Sequence, residues 1–306
     1  MSQKQIRVFI FATLLVAFAS SSAFGQTIYD NILNPLPGNW DNYAFEANGT
    51  SELGDRIMFA PATGRSLSSV VLTMSNYGCQ SGHWFSTDCV TNPGATYTHP
   101  ITLNIYNVAG TNQVGTLIGS VTQNFALPFR PTADVINCTG ASAGAWYDAA
   151  SNTCFFGKAS NITFNLSGLV VPDQVIFGIA FNTTHYGYAP IGESAPCYSG
   201  PGGCGYDALN VGIADPSIYN TIGSNPAPAD AYQYTIFSSC TNGPIIPFGL
   251  DAGCWTGFKP AIRFNASNVP TSKDDCKNGG WQNRTTASGA SFSNQGQCIQ
   301  YFTNGK

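Results

Sequence analysis

Alternation with a period of two runs through the middle of the chain. In "SVVLTMS", Val70, Leu72 and Met74 alternate with Val71, Thr73 and Ser75. In "ITLNIYNV", Ile101, Leu103 and Ile105 share one face, with Thr102, Asn104 and Tyr106 opposite. "NITFNLSG" groups Ile162, Phe164 and Leu166, and "LNVGIA" groups Leu209, Val211 and Ile213. Such segments predict half-buried strands of antiparallel sheets. "VIFGIAF", residues 175–181, is almost wholly apolar, which predicts a central strand covered on both faces. "DRIMFA", "TLIGSVTQNF" and "AIRFNA" add three further candidates.

Roughly eight to ten strands joined by turn-rich loops predict an all-β, antiparallel β-sandwich of jelly-roll-like type. Residues 215–260 hold six prolines and few alternating runs, so they carry no firm strand assignment. No convincing helical period occurs between the N-terminal segment and residue 270. "NASNVPTS", residues 265–272, is polar, contains Pro270 and reads as a linker. The expected organisation is a signal peptide over 1–25, a sandwich over 26–267, and a linker with a small two-cysteine motif over 268–306.

The first residues explain that opening boundary. Lys4 and Arg7 precede an apolar run from Val8 to Ala19, followed by small residues that include Ala23 and Gly25. The run is short for a membrane span and has the layout of a secretory signal, with cleavage expected before Gln26 or after Ala23. No second long apolar segment follows. The expected location is secreted, extracellular or at the cell surface.

Ten cysteines change the picture further. Cys79, Cys89, Cys138, Cys154, Cys197, Cys204, Cys240, Cys254, Cys276 and Cys298 all lie beyond the signal. An even number in an exported chain predicts five disulfides. Their succession favours nearest-neighbour pairing, although spacing leaves other connectivities open. Four such pairs would close long loops, each contributing about 2–3 kcal/mol in the chain-entropy picture. The absence of Cys-x-x-Cys and the presence of just three histidines argue against zinc.

Charge excludes other partners. Without Lys4 and Arg7, ten basic residues face sixteen acidic ones, a charge of −6, with no Lys/Arg cluster. Nucleic acid needs a basic footprint, and an anionic membrane surface needs the same.

Candidate chemistry is sparse. "GESAP", residues 192–196, approaches the Gly-x-Ser-x-Gly elbow, but Pro196 replaces the last glycine and a cysteine loop follows. It reads as a surface turn. Glycoside hydrolysis needs two carboxyl groups set across a cleft, and nothing in the sequence pairs them. No cofactor is expected. Glu46, Glu52 and Asp55 offer the oxygen ligands that calcium takes, and solvated turn acids explain them equally well.

Aromatic residues give the strongest binding signal. "NYGCQSGHWFSTDC" places Tyr77, His83, Trp84 and Phe85 at one cysteine-bounded loop. "HYGYAPIGESAPCYSGPGGC" places His185, Tyr186, Tyr188 and Tyr198 at another. Rings with polar tips on rigid loops suit sugars, and they serve equally well as fillers over disulfides.

"LPGNW", "SELGDRIMFA", "YGCQSGHWFSTDCVTNPGATYTHPITLNIYNV" and "VPDQVIFGIAFNTTHYGYAPIGESAPC" together resemble exported bacterial β-sandwich proteins of no assigned activity. The end, "SKDDCKNGGWQN…FSNQGQCIQYF", resembles a short cysteine motif at the C-termini of exported bacterial proteins. Its halves are Cys-Lys-x-Gly-Gly-Trp and Asn-Gln-Gly-x-Cys. Neither resemblance implies catalytic residues.

The favoured expectation is a non-catalytic module for carbohydrate or another cell-envelope polymer. A secreted polysaccharide-acting enzyme and a structural envelope or matrix protein are the alternatives. In the tail, Ser272 is expected to cap a short helix that Gly279 and Gly280 end. A second helix should start near Asn294, with Trp281, Phe292 and Phe302 filling the space around Cys276–Cys298.

Overall fold

The structure, a computed structural model, describes residues 26–61, 64–183, 208–270, 272–286 and 290–304. Its strands in chain order begin with β1 (Gln26–Asp30), β2 (Asn42–Tyr43), β3 (Thr50–Met58), β4 (Ser66–Asn76) and β5 (Thr96–Ala109). Next come β6 (Gln113–Pro128), β7 (Trp146–Asp148), β8 (Thr153–Phe155), β9 (Lys158–Val170) and β10 (Gln174–Ala180). The last are β11 (Leu209–Ala214), β12 (Asp230–Thr235), β13 (Ile245–Ala252), β14 (Lys259–Pro260) and β15 (Ile262–Ser267). Helix α1 (Pro216–Tyr219) is one turn, and α2 (Gln295–Asn304) lies in the tail.

The strands form an antiparallel β-sandwich. One sheet runs β1-β15-β4-β11-β14, with β2 on β11 and β9 on β4; the other runs β13-β12-β3-β10-β5-β6. A small β7–β8 ladder stands apart. Every segment with the expected alternation is a strand. Val70, Leu72, Met74, Ile101, Leu103, Ile105 and Phe164 point into one core between the sheets. Each such side chain contributes about 1.5–3 kcal/mol by leaving water. The apolar β10 lies between β3 and β5, with Val175 through Ala180 buried.

More strands form than the eight to ten expected, for two reasons. Ladders of two or three residues are too short to show alternation. Within the proline-rich 215–260 stretch, β12 is a central strand and β13 an edge, where Pro247 needs no ladder partner for its nitrogen.

Strand β3 carries charges to both faces. Leu53, Asp55 and Ile57 face the core, and Glu52 faces outward. Calcium at Glu46, Glu52 and Asp55 is therefore corrected: Glu52 and Asp55 point to opposite sides of the strand and cannot share an ion. Glu52 instead accepts hydrogen bonds from Asn104 Nδ2 (2.9 Å) and the Tyr106 hydroxyl (3.0 Å). Burial raises its pKa against both bonds. Gly178 makes the room, since a Cβ there would stand 2.0 Å from the Glu52 carboxylate.

Inside, Asp55 meets Lys259 Nζ at 3.7 Å, both side chains being buried. Asp55 also accepts from its neighbour Arg56 N (2.8 Å) and from the Asn225 amide. Burial dominates and pushes Asp55 up to about 7, against the pull of Lys259; burial likewise lowers Lys259.

The tail gathers around a small cluster of its own, Cys276, Phe292 and Cys298. Ser272 and Asp275 cap one another, Asp275 N donating to Ser272 Oγ (3.2 Å) and Ser272 N to Asp275 Oδ2 (3.0 Å). The helix expected there is a single 3-10 turn, Asp274–Cys276, followed at Gly279 (φ 84°) by a second 3-10 turn, Gly280–Asn283. Asn294 Oδ1 caps α2 through Gln297 N (2.8 Å). The placement of Phe302 is corrected: it is exposed, and Tyr301 packs on Phe292 at 5.3 Å instead. One residue is 100° of helix, enough to exchange which ring faces the disulfide. The tail meets the sandwich around Asn268, whose carbonyl accepts from Thr285 N (3.1 Å) and whose side chain accepts from Gly64 N (3.1 Å).

Two predictions follow from these burial patterns. An unfolded Asp55 ionises near 3.8, whereas the folded one holds its proton to about 7. Its contribution is thus fully present below the lower value and lost as pH rises through the upper. Denaturant unfolding should show stability falling by up to about 4 kcal/mol across that window, and Asp55→Asn should flatten it. A wild-type profile that rises over the same range would contradict this. Truncation after Pro270 should leave the sandwich melting within about 3 °C of the full chain, because the tail has its own core. A larger drop in calorimetry would make the tail part of the sandwich.

Candidate functional site

Residues 77–95 and 129–157 leave the two main sheets at one end of the sandwich, and apart from the short β7–β8 ladder their backbone needs other partners. Disulfide Cys79–Cys89 (Cα–Cα 5.6 Å) closes the first, and paired backbone bonds between Ser81 and Val90 (3.0 and 2.9 Å) support it. Cys138–Cys154 (Cα–Cα 5.8 Å) closes the second. With Cys240–Cys254 and Cys276–Cys298, four of the expected nearest-neighbour disulfides are present. Cys197 and Cys204 lie outside the described residues.

Arg130 joins the two loops. Its guanidinium is buried and donates to three main-chain carbonyls: Trp84 (2.6 Å), Gly144 (2.7 Å) and Pro131 (3.1 Å). Burial lowers its pKa to about 10, which leaves it charged at neutral pH. At the loop tip, the backbone N–H and the ring Nδ1 of His83 bind Asp88 at 3.0 and 2.8 Å. Those bonds hold Asp88 down at about 2.

Beside these loops lies an open groove of about 600 Å³, lined by Pro37, Asn39, Trp40, Asp41, Asn42, Tyr77 and Phe155. Its polar groups are held in place. Asn42 Nδ2 (3.0 Å) and Asn39 Nδ2 (3.5 Å) donate to the Tyr77 hydroxyl. Asn39 Oδ1 accepts from Ser75 Oγ (2.7 Å), and Asn42 Oδ1 from Asn210 Nδ2 (2.8 Å). The Trp40 indole N–H is tied to the Ile213 carbonyl at 2.6 Å. Gly157 lets the chain pass beneath, where a Cβ would stand 2.7 Å from Asn39 and 2.9 Å from Tyr77. Asp41 is the charged residue among those lining the groove.

Of the aromatic residues singled out by sequence, Tyr77 lines this groove. Trp84 and Phe85 stand beside it, 46% and 61% exposed, and His83 is exposed at the loop tip. The Trp84 ring meets Tyr77 edge-on at 5.5 Å. His185, Tyr186, Tyr188 and Tyr198 lie outside the described residues, as does "GESAP". Sequence reasoning missed Trp40, Asn39, Asn42, Asp41 and Phe155 as site residues. The signal available was a tryptophan following a Pro-Gly turn and flanked by amides.

Among the described residues, the metal-type cluster Cys240–Asp251–Cys254 contains two disulfide-bonded cysteines, so its sulfurs are not thiolate ligands. Asp251 instead accepts from Ser238 Oγ (2.6 Å) and from Trp255 Nε1 (2.9 Å). No helix among the described residues is long and apolar enough to cross a membrane. No protein-family model, curated protein or solved structure matches this chain.

Removing the Arg130 donors would leave three carbonyls without partners. Arg130→Met should cost about 2–4 kcal/mol and expose residues 79–89 to proteolysis. Arg130→Lys should rescue little, because a point charge cannot span all three acceptors. Wild-type melting and proteolysis in Arg130→Met would refute the bridging role.

Proposed function

We propose that this protein is an exported, non-catalytic module that binds carbohydrate or a related cell-envelope polymer. The supporting observation is the groove itself. Trp40, Tyr77 and Phe155 offer apolar ring surface, while Asn39 and Asn42 stand fixed beside them as hydrogen-bonding groups. A sugar has both kinds of surface, C–H faces and a hydroxyl rim, so it matches this combination. Pre-formed geometry also limits the ordering entropy that binding must overcome.

The groove favours binding over hydrolysis. Glycoside cleavage needs two carboxyl groups across the substrate, and among the described residues Asp41 is the one carboxylate lining the groove. Glu52 and Asp55 are committed to opposite faces of β3. The four disulfides are in keeping with an oxidising, extracellular setting, as the N-terminal segment also suggests.

A screen of residues 26–306 against glycans and cell-wall polymers tests this reading. Retention on at least one polysaccharide is expected, weakened about tenfold or more by Trp40→Ala in a variant that melts normally. Absence of any glycan binding, or unchanged retention by that variant, would overturn it.

A further inference from the structure

A second groove of about 350 Å³ lies between the segment after β1 and helix α1, lined by residues that include Leu33, Pro35, Ile218, Tyr219 and Arg263. Its charges are already matched. Asp30 Oδ2 accepts from Arg263 Nε at 2.8 Å, and Asp30 Oδ1 accepts from Ile32 N at 3.0 Å. Pro at the first helical position and Asp215, whose carboxylate accepts from Ser217 N, define the single turn that presents Ile218 and Tyr219.

One aromatic contact separates this groove from the first. Trp40 lines the larger groove, Tyr219 lines the smaller, and their rings meet edge-on at 5.6 Å. Across the larger groove stands Tyr77, which meets Trp84 at 5.5 Å, and Trp84 meets Phe85 at 5.4 Å. Two runs of ring contacts, Tyr219–Trp40 and Tyr77–Trp84–Phe85, thus face each other across the larger groove, with the smaller groove beside the first. Indole and amide hydrogen bonds fix the centre of this row; of its ends, Phe85 is exposed and Tyr219 is half-buried.

We infer that the two grooves and the Trp84–Phe85 tip are subsites for one extended, neutral polysaccharide chain, not a pocket for a single sugar. This rests on the carbohydrate reading above and adds length and charge to it. An extended β-1,4-linked chain turns its C–H faces outward along its length, as a row of rings requires. Electrostatics select against acidic chains. Asp41 repels carboxylates in the larger groove, and the Arg263 charge in the smaller is countered by Asp30.

Calorimetric titration with cello- and chito-oligosaccharides, from monosaccharide to hexasaccharide, tests the inference, with oligogalacturonate as the acidic counterpart. Affinity should rise with chain length for at least one neutral series and exceed that for the acidic hexasaccharide by about tenfold or more. Tyr219→Ala and Phe85→Ala, at opposite ends of the row, should each shrink the advantage of the hexasaccharide over the disaccharide. Phe85 is the safer substitution, since it packs least. Equal affinity for short and long chains, an unchanged advantage in both variants, or equal binding of the acidic chain would overturn the extended neutral site and leave carbohydrate binding intact. Failure of both neutral hexasaccharides would overturn it too. The broader reading then stands or falls on the polysaccharide screen alone.

Discussion

A buried guanidinium, backed by hydrogen bonds from Ala133 N to the Cys89 carbonyl and between Thr91 and Thr132, ties together the loops at the end of the sandwich where the candidate site lies. Arg130 lies two residues beyond β6, and its donors close on carbonyls from two loops that share no strand pairing. Without regular structure, those carbonyls would otherwise need water, and burial denies them that. Arginine suits the task because several N–H groups radiate in one plane and the charge survives burial. This contact helps to place Trp84, whose carbonyl Arg130 engages and whose ring meets Tyr77 and Phe156. The groove, its aromatic neighbours and the two nearby disulfides form one mechanical unit.

The sheets use buried polarity in a second way. On β3, Asp55 faces inward to Lys259 while Glu52 lies flat over a glycine on the neighbouring strand. A buried ion pair is weak support for stability, because desolvation offsets much of the attraction. Its benefit is registration: Asp55 takes hydrogen bonds or charge from Asn225 and from Lys259 on β14, joining parts of the chain far apart in sequence. Leu53 and Ile57 on the same face could be served by many apolar neighbours; Asp55 tolerates few.

Much of the scaffold was legible beforehand, and the reason is period. Val70, Leu72 and Met74 announce β4 because a sheet with one wet face leaves a two-residue rhythm in the chain. The rhythm fails where a strand is short, as at β2, or interrupted by proline, as at β13. Cysteine order revealed four staples. The site was only partly legible. Tyr77 and Trp84 stood out through their cysteine-bounded loop, but Trp40 depends on a meeting with Tyr219, well over a hundred residues later, that no local pattern encodes. Asp55 resembled a turn acid until its inward orientation was known. In the tail, helical spacing located α2 but not which of two adjacent aromatic side chains faces Phe292.

The pairing of β1 with β15 has a consequence for how the chain acquires this shape. Gln26 lies opposite Ala266 and Asp30 opposite Arg263, so the earliest strand of the sandwich docks on the latest. A chain threaded through a membrane from its N-terminus would deliver β1 first and leave it without its neighbour until nearly the whole sandwich had emerged. β15 itself pairs with β4, so one late segment completes two ladders at once. Until then the seven-stranded sheet presents open edges, the state most prone to pairing with other molecules. The seven-stranded sheet is therefore completed by its last strand, and until β15 docks the edges of β1 and β4 stay open.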